Sequence, residues 1–163
     1  MGAKTGQLQI RVTPRQKASL KRLARRAGQS VSAYVLSRAL PPEKSRFEEL
    51  LRALREEDRH RFALAELNDF LARLTPIEFH DAVGDSEPEG LTPRIGNYVA
   101  AMVEHAASRM NVDPPSWTAD VAPLEEPWFP VEFPRLRAYL LRVAPVAFKR
   151  RNIFVDSTVG DRV

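Results

Sequence analysis

From Gln7 to Thr13 the chain reads Q-L-Q-I-R-V-T, with Leu8, Ile10 and Val12 alternating with polar neighbours. A period of two with β-branched residues on the apolar side predicts a strand with one dry face. Thr13-Pro14-Arg15-Gln16 then supplies a hydroxyl at the N-cap, proline at the first helical position and glutamine three residues on, so a helix starts here with a capping box. Its apolar positions Leu20, Leu23, Ala24 and Ala27 recur at helical spacing, and Gly28 is placed to end it. Ser30 can cap a second helix through Val31, Tyr34, Val35 and Ala39, which Pro41-Pro42 stops.

Beyond the double proline only helical periods recur. Phe47, Leu50, Leu51 and Leu54 form one stripe, and Phe62, Leu67, Phe70, Leu71 and Leu74 form another, predicting two helices or one long bent one. Thr75-Pro76-Ile77-Glu78 and Thr92-Pro93 repeat the cap-then-proline signal, opening a short helix and a longer one through Val99, Met102, Val103, Ala106 and Met110. An acidic loop, Gly84 to Gly90, separates them. Asp113 to Pro134 is proline-rich and carries Trp117, Trp128 and Phe129, so irregular structure pinned by buried aromatics is expected. Leu136 to Val143 and Pro145 to Arg151 read as short helices, and Asn152 to Val155 as one short strand.

Charge sharpens the boundary at the double proline. Residues 1–40 hold nine Lys and Arg and no acid, whereas the rest holds 16 basic and 21 acidic residues, giving +9 followed by −5. A segment so one-sided repels itself when free and is suited to a polyanion such as DNA, although a solvated basic helix face would read the same way. The predicted organisation is therefore a module at 1–40 and a second domain at 43–163.

A strand and two short helices carry too little apolar surface for a core of their own. If two copies pair their strands antiparallel, Leu8, Ile10 and Val12 from both chains form one shared core, and the module is a homodimer. Gln7, Gln9 and Arg11 then face outward from a two-stranded ribbon that fits the major groove of double-stranded DNA, where glutamine can bond adenine and arginine can bond guanine. The alternative for these three is an ordinary exposed strand face. Lys17 and Arg22 on the first helix are candidates for phosphate contacts rather than base reading.

The strand Q-L-Q-I-R-V-T-P, the basic first helix and the turn A-G-Q-S-V-S-A-Y-V together resemble the ribbon-helix-helix family of bacterial regulators and antitoxins, which includes the MetJ and Arc repressors. The resemblance covers about a quarter of the chain. It implies a dimeric, sequence-specific repressor that binds an operator, and in that family the backbone amides opening the second helix grip a phosphate, which falls here on Ser30, Val31 and Ser32. A helix N-terminus favours an anion for the same reason. Further on, Ile95-Gly96-Asn97-Tyr98, the segment from Leu124 to Phe129 and R-R-N-I-F-V-D resemble regions of antitoxins partnered by nucleotidyltransferase-like toxins. That implies a protein toxin as partner for the downstream domain and repression of the chain's own operon.

The expected fold is mainly α: a ribbon-helix-helix module followed by an all-α or nearly all-α domain. No catalytic constellation is legible, because His80-Asp81 are neighbours that point apart on a helix and His60 and His105 stand alone; Lys149-Arg150-Arg151 reads as a second anion site or, sufficiently, as cations closing a helix C-terminus. The chain has no cysteine, and no metal site, cofactor or enzymatic activity is expected. No apolar run approaches the ~20 residues that span a bilayer, and Met1 to Gly6 lacks the apolar stretch of a secretory signal, so a cytoplasmic location is expected. An antitoxin is the favoured reading; a ribbon-helix-helix repressor or plasmid-maintenance regulator with a sensing or oligomerising domain is the alternative, and an enzyme with a DNA-binding appendage is the least favoured of the three.

Overall fold

The computed structural model describes residues 9–39, 42–86, 88–156 and 158. The chain divides into two compact units, 1–40 and 41–163. Among the described residues the secondary structure is helical, with no strand assigned and a single parallel bridge between Trp128 and Ile153.

The first unit contains α1 (Pro14–Arg26) and α2 (Val31–Ala39). Thr13 caps α1 as its sequence requires: Thr13 Oγ1 accepts from the Gln16 amide at 3.3 Å, and Gln16 Oε1 accepts from the Thr13 amide at 2.9 Å. At the other end, Gly28 takes φ +66°, and the amides of Gly28 and Gln29 donate to Arg25 and Ala24 carbonyls. This is the paired closure that needs a left-handed residue. Ser30 Oγ then accepts from the Ala33 amide at 3.2 Å and starts α2.

The second unit runs through α3 (Pro42–Ala53), a 3₁₀ turn (Glu57–Arg59), α4 (His60–Arg73), α5 (Pro76–Val83), α6 (Pro93–Met110), α7 (Trp117–Asp120), α8 (Pro134–Val143) and α9 (Val146–Lys149). The two stripes after the double proline are thus separate helices. Thr75 and Thr92 cap α5 and α6, each with its hydroxyl accepting the amide three residues on at 3.4 Å. One apolar cluster joins Phe47, Leu50 and Leu54 of α3, Leu67 and Phe70 of α4, Phe79 and Val83 of α5, Val99 and Val103 of α6, and Phe148 and Ile153 near the C-terminus. Helix α6 is its centre. Alanines 100, 101, 106 and 107 are all buried, so little side-chain bulk keeps neighbouring elements away from its backbone.

Phe62 does not join this cluster and is 76% exposed. Buried Ala63, Leu67, Phe70 and Leu74 set the inward line of α4 and its exit, and Phe62 lies about 100° around the helix from Ala63. The proline-rich stretch is held as expected at Trp117, which is buried and donates from Nε1 to the Val83 carbonyl at 2.7 Å. Trp128 and Phe129 are only half-buried. In place of a strand at Asn152 to Val155, the segment makes two backbone bonds around one bridge, Trp128 N–H to Asn152 O and Phe154 N–H to Trp128 O.

Candidate nucleic-acid interface

Gln7 and Leu8 lie outside the described residues. Gln9, Ile10, Arg11 and Val12 precede the capped start of α1 without a β-ladder, and all four are exposed. Strand pairing of the expected kind would be between two chains, and one chain is present. Ile10 is 61% and Val12 42% exposed, and Leu23, Val31 and Leu36 are exposed as well. Among the described residues of this unit Ala24 alone is buried, so nearly all the apolar surface of α1 and α2 remains open to solvent or half-covered.

The charged side of the unit is equally accessible. Arg11, Arg15, Lys17, Lys21, Arg22, Arg25 and Arg26 are all exposed, and no acid occurs in residues 1–40 to neutralise them. Lys17 and Arg22 lie on the exposed surface of α1; Val31 and Ser32 are exposed in the first turn of α2. The Ser30 hydroxyl occupies the Ala33 amide, so the anion-seeking groups left at this helix start are the preceding backbone amides rather than that donor. Arg38 is placed differently: its guanidinium lies over the Tyr34 ring, 5.6 Å from the centroid.

In the second unit the three sequence segments singled out downstream converge on one polar knot. Arg151 is 5% exposed and donates to Asn97 Oδ1 at 3.2 Å, to the Val121 carbonyl at 3.0 Å, to the Thr118 carbonyl and to the Glu104 carboxylate. Asn97 Nδ2 in turn bonds the Ala122 carbonyl at 2.9 Å, and Asn152 Nδ2 bonds the Leu124 carbonyl. Tyr98 stands edge-on to both Trp128 and Phe148, and burial pushes its hydroxyl pKa up. The expectation that Lys149-Arg150-Arg151 merely closes a helix is therefore corrected at Arg151, which turns into the core because α6 offers it a carboxylate and an amide. Lys149 does bond a helix-end carbonyl, that of Arg142 at 2.9 Å.

His80 and Asp81 are exposed, and His80 meets the Phe79 ring edge-on. His105 meets Phe148 in the same manner. Among the described residues no three His, Asp or Glu side chains gather as a metal site, and no helix is long and apolar enough to cross a membrane. A cleft of about 220 Å³ lies between α4 and α6, lined by Asn68, Leu71, Met102, His105 and Arg109 among others.

Residues 6–75 match the family model Antitoxin ParD. The match covers 70 of the 163 residues and takes in α1, α2, α3 and α4. Over this stretch the chain is similar to a family of antitoxins. No curated protein and no solved structure matches the chain.

Proposed function

We propose that the protein is an antitoxin-type transcriptional repressor: residues 1–40 dimerise as a ribbon-helix-helix module on operator DNA, and residues 43–163 bind a protein toxin. One observation carries the reading: the match to Antitoxin ParD begins in an acid-free segment whose apolar side chains a single chain leaves uncovered. A second copy supplies the missing cover. Strand pairing then puts Leu8, Ile10 and Val12 between the chains and turns Gln7, Gln9 and Arg11 toward base edges in the major groove. Lys17, Arg22 and the start of α2 at Ser30, Val31 and Ser32 hold the phosphates on either side. The resemblance of the later segments to antitoxins of nucleotidyltransferase-like toxins favours a toxin of that kind.

The test is co-expression with the reading frame beside this chain's gene, together with binding of the shared promoter. Growth arrest by the neighbour, relieved by this chain, and a discrete footprint on the promoter are the expected results. A harmless neighbour and an unbound promoter would remove the proposal. The second reading, a repressor with a sensing domain, draws on the cleft between α4 and α6, where His105 and Arg109 stand one turn apart among apolar side chains. It requires a small molecule that changes promoter affinity with no protein partner present.

A further inference from the structure

Helix α8 is firmly seated on one side and open on the other. Its inward residue Leu140 and Ala144, which follows its last turn, pack with Phe154 in a small cluster apart from the main core, extended by Phe129, Val131 and Val143. Phe129 stacks on Phe154 at 4.9 Å; the Arg137 guanidinium covers Phe129 at 5.3 Å and donates to the Val131 carbonyl. The helix is thus held in place before any partner arrives. Yet Phe133 is 70% and Leu136 46% exposed, and Tyr139, Leu141 and Val146 are exposed too. Leu136 and Tyr139, three apart, are neighbours on the helix surface, and Phe133 caps the helix one turn before Leu136.

The charges around that face say what can cover it. Arg135 and Arg142, seven residues apart, share a line down the helix beside Tyr139, and from Val131 to Arg150 there are five basic residues against Glu132 alone. Asp156, just past the bridge at Ile153, accepts the Thr158 amide at 3.0 Å. A second copy of α8 packed about a two-fold axis would set these arginines against each other. DNA would leave the apolar stripe in water, on a unit that carries 16 basic and 21 acidic residues. An apolar groove rimmed by carboxylates satisfies both the stripe and the arginines.

We infer that α8, with Phe133 and Leu136 as its apolar anchors and Arg135 and Arg142 as its charged rim, is the docking surface for an acidic-rimmed groove on a protein partner. In the antitoxin reading, on which this rests, that partner is the toxin. The surface lies outside residues 6–75, the part matched to Antitoxin ParD.

The test uses the full chain and the purified product of the neighbouring reading frame, with affinity measured by calorimetry. Leu136→Glu and Phe133→Glu should each weaken binding by about 30-fold or more, as anchors do, while keeping the wild-type melting temperature. Phe62→Glu, at an equally exposed apolar site on α4, should change it less than about twofold. Arg135→Glu with Arg142→Glu should slow association and flatten its dependence on salt. Unchanged affinity in Leu136→Glu and Phe133→Glu, with tight binding by the wild type, would overturn this surface and leave the antitoxin reading intact. A wild type that ignores the neighbour's product would overturn both. A smaller oligomer in Leu136→Glu would assign the face to a second copy, and loss of promoter binding in the arginine variants would assign it to DNA; either result overturns the inference.

Discussion

Replacing Arg151 by methionine removes the guanidinium that ties the C-terminal segment to α6. The side chain is almost wholly buried, and its loss strips donors from Asn97 Oδ1, the Val121 and Thr118 carbonyls and the Glu104 carboxylate. Each buried carbonyl left without a partner costs about 1–3 kcal/mol. Glu104 keeps a side-chain exposure of 18%, so water reaches it in part, and the whole change should fall near the about 3–5 kcal/mol typical of a broken buried pair. Against a domain stability of about 5–15 kcal/mol, that lowers the melting temperature on the order of 10–20 °C. Both tryptophans, Trp117 and Trp128, lie in the second unit, so fluorescence during urea unfolding reports this unit selectively. Glu104→Gln keeps an acceptor but removes the counter-charge, and its cost combined with Arg151→Met should be well below the sum of the two. A loss under about 1 kcal/mol for Arg151→Met, the value of an exposed pair, would refute the assignment of Arg151 as the tie between these segments.

In the proposed dimer Ile10→Lys would place two charges in the core shared between chains, so ultracentrifugation should find a monomer that no longer retards operator DNA. Arg11→Ala should keep the dimer and lose about 1–3 kcal/mol at one base pair, whereas Lys17→Ala should weaken all sequences alike and flatten the salt slope by at most about one unit, as read by titration on mutated operators. In the α5 cap, bonds from the Thr75 backbone N–H and then its hydroxyl hold the Glu78 carboxyl below the usual carboxylate range. A depressed native value means stability that is present at neutral pH and lost as pH falls from about 4 through that lower value; thermal melts of Glu78→Gln should lack this acid-side step.

Local signals carried furthest. Thr13-Pro14 with Gln16, Thr75-Pro76 with Glu78 and Thr92-Pro93 mark helix starts within four residues, and the structure places a helix at each. Phe62 misled because a large apolar residue beside Ala63 looks like the start of a stripe, while the inward line of α4 is set by a smaller one. Arg151 was illegible for a different reason. Its partners Glu104 and Asn97 lie 47 and 54 residues away, and nothing in K-R-R distinguishes the arginine that will be buried from the two that will not. The strand is a third case: Gln9 to Thr13 carry the right alternation, but a ladder for them requires a second chain, as the proposed dimer does.

The segment similar to Antitoxin ParD ends at Thr75, where the second unit is only partly built. Phe47, Leu50, Leu67 and Phe70, inside the match, share their cluster with Phe79, Val99, Val103 and Phe148, outside it. The 88 residues that follow therefore complete a core that α3 and α4 begin, and do not form a separate appendage to the matched segment. The two units then differ in what stabilises them. The second buries its apolar residues within one chain, independent of concentration. In the proposed dimer the first does so only between chains, so its folding and its hold on DNA follow mass action. In that proposed dimer, dilution should separate the two copies of the first unit and weaken promoter binding with them, while the second unit, the surface on α8 included, stays folded.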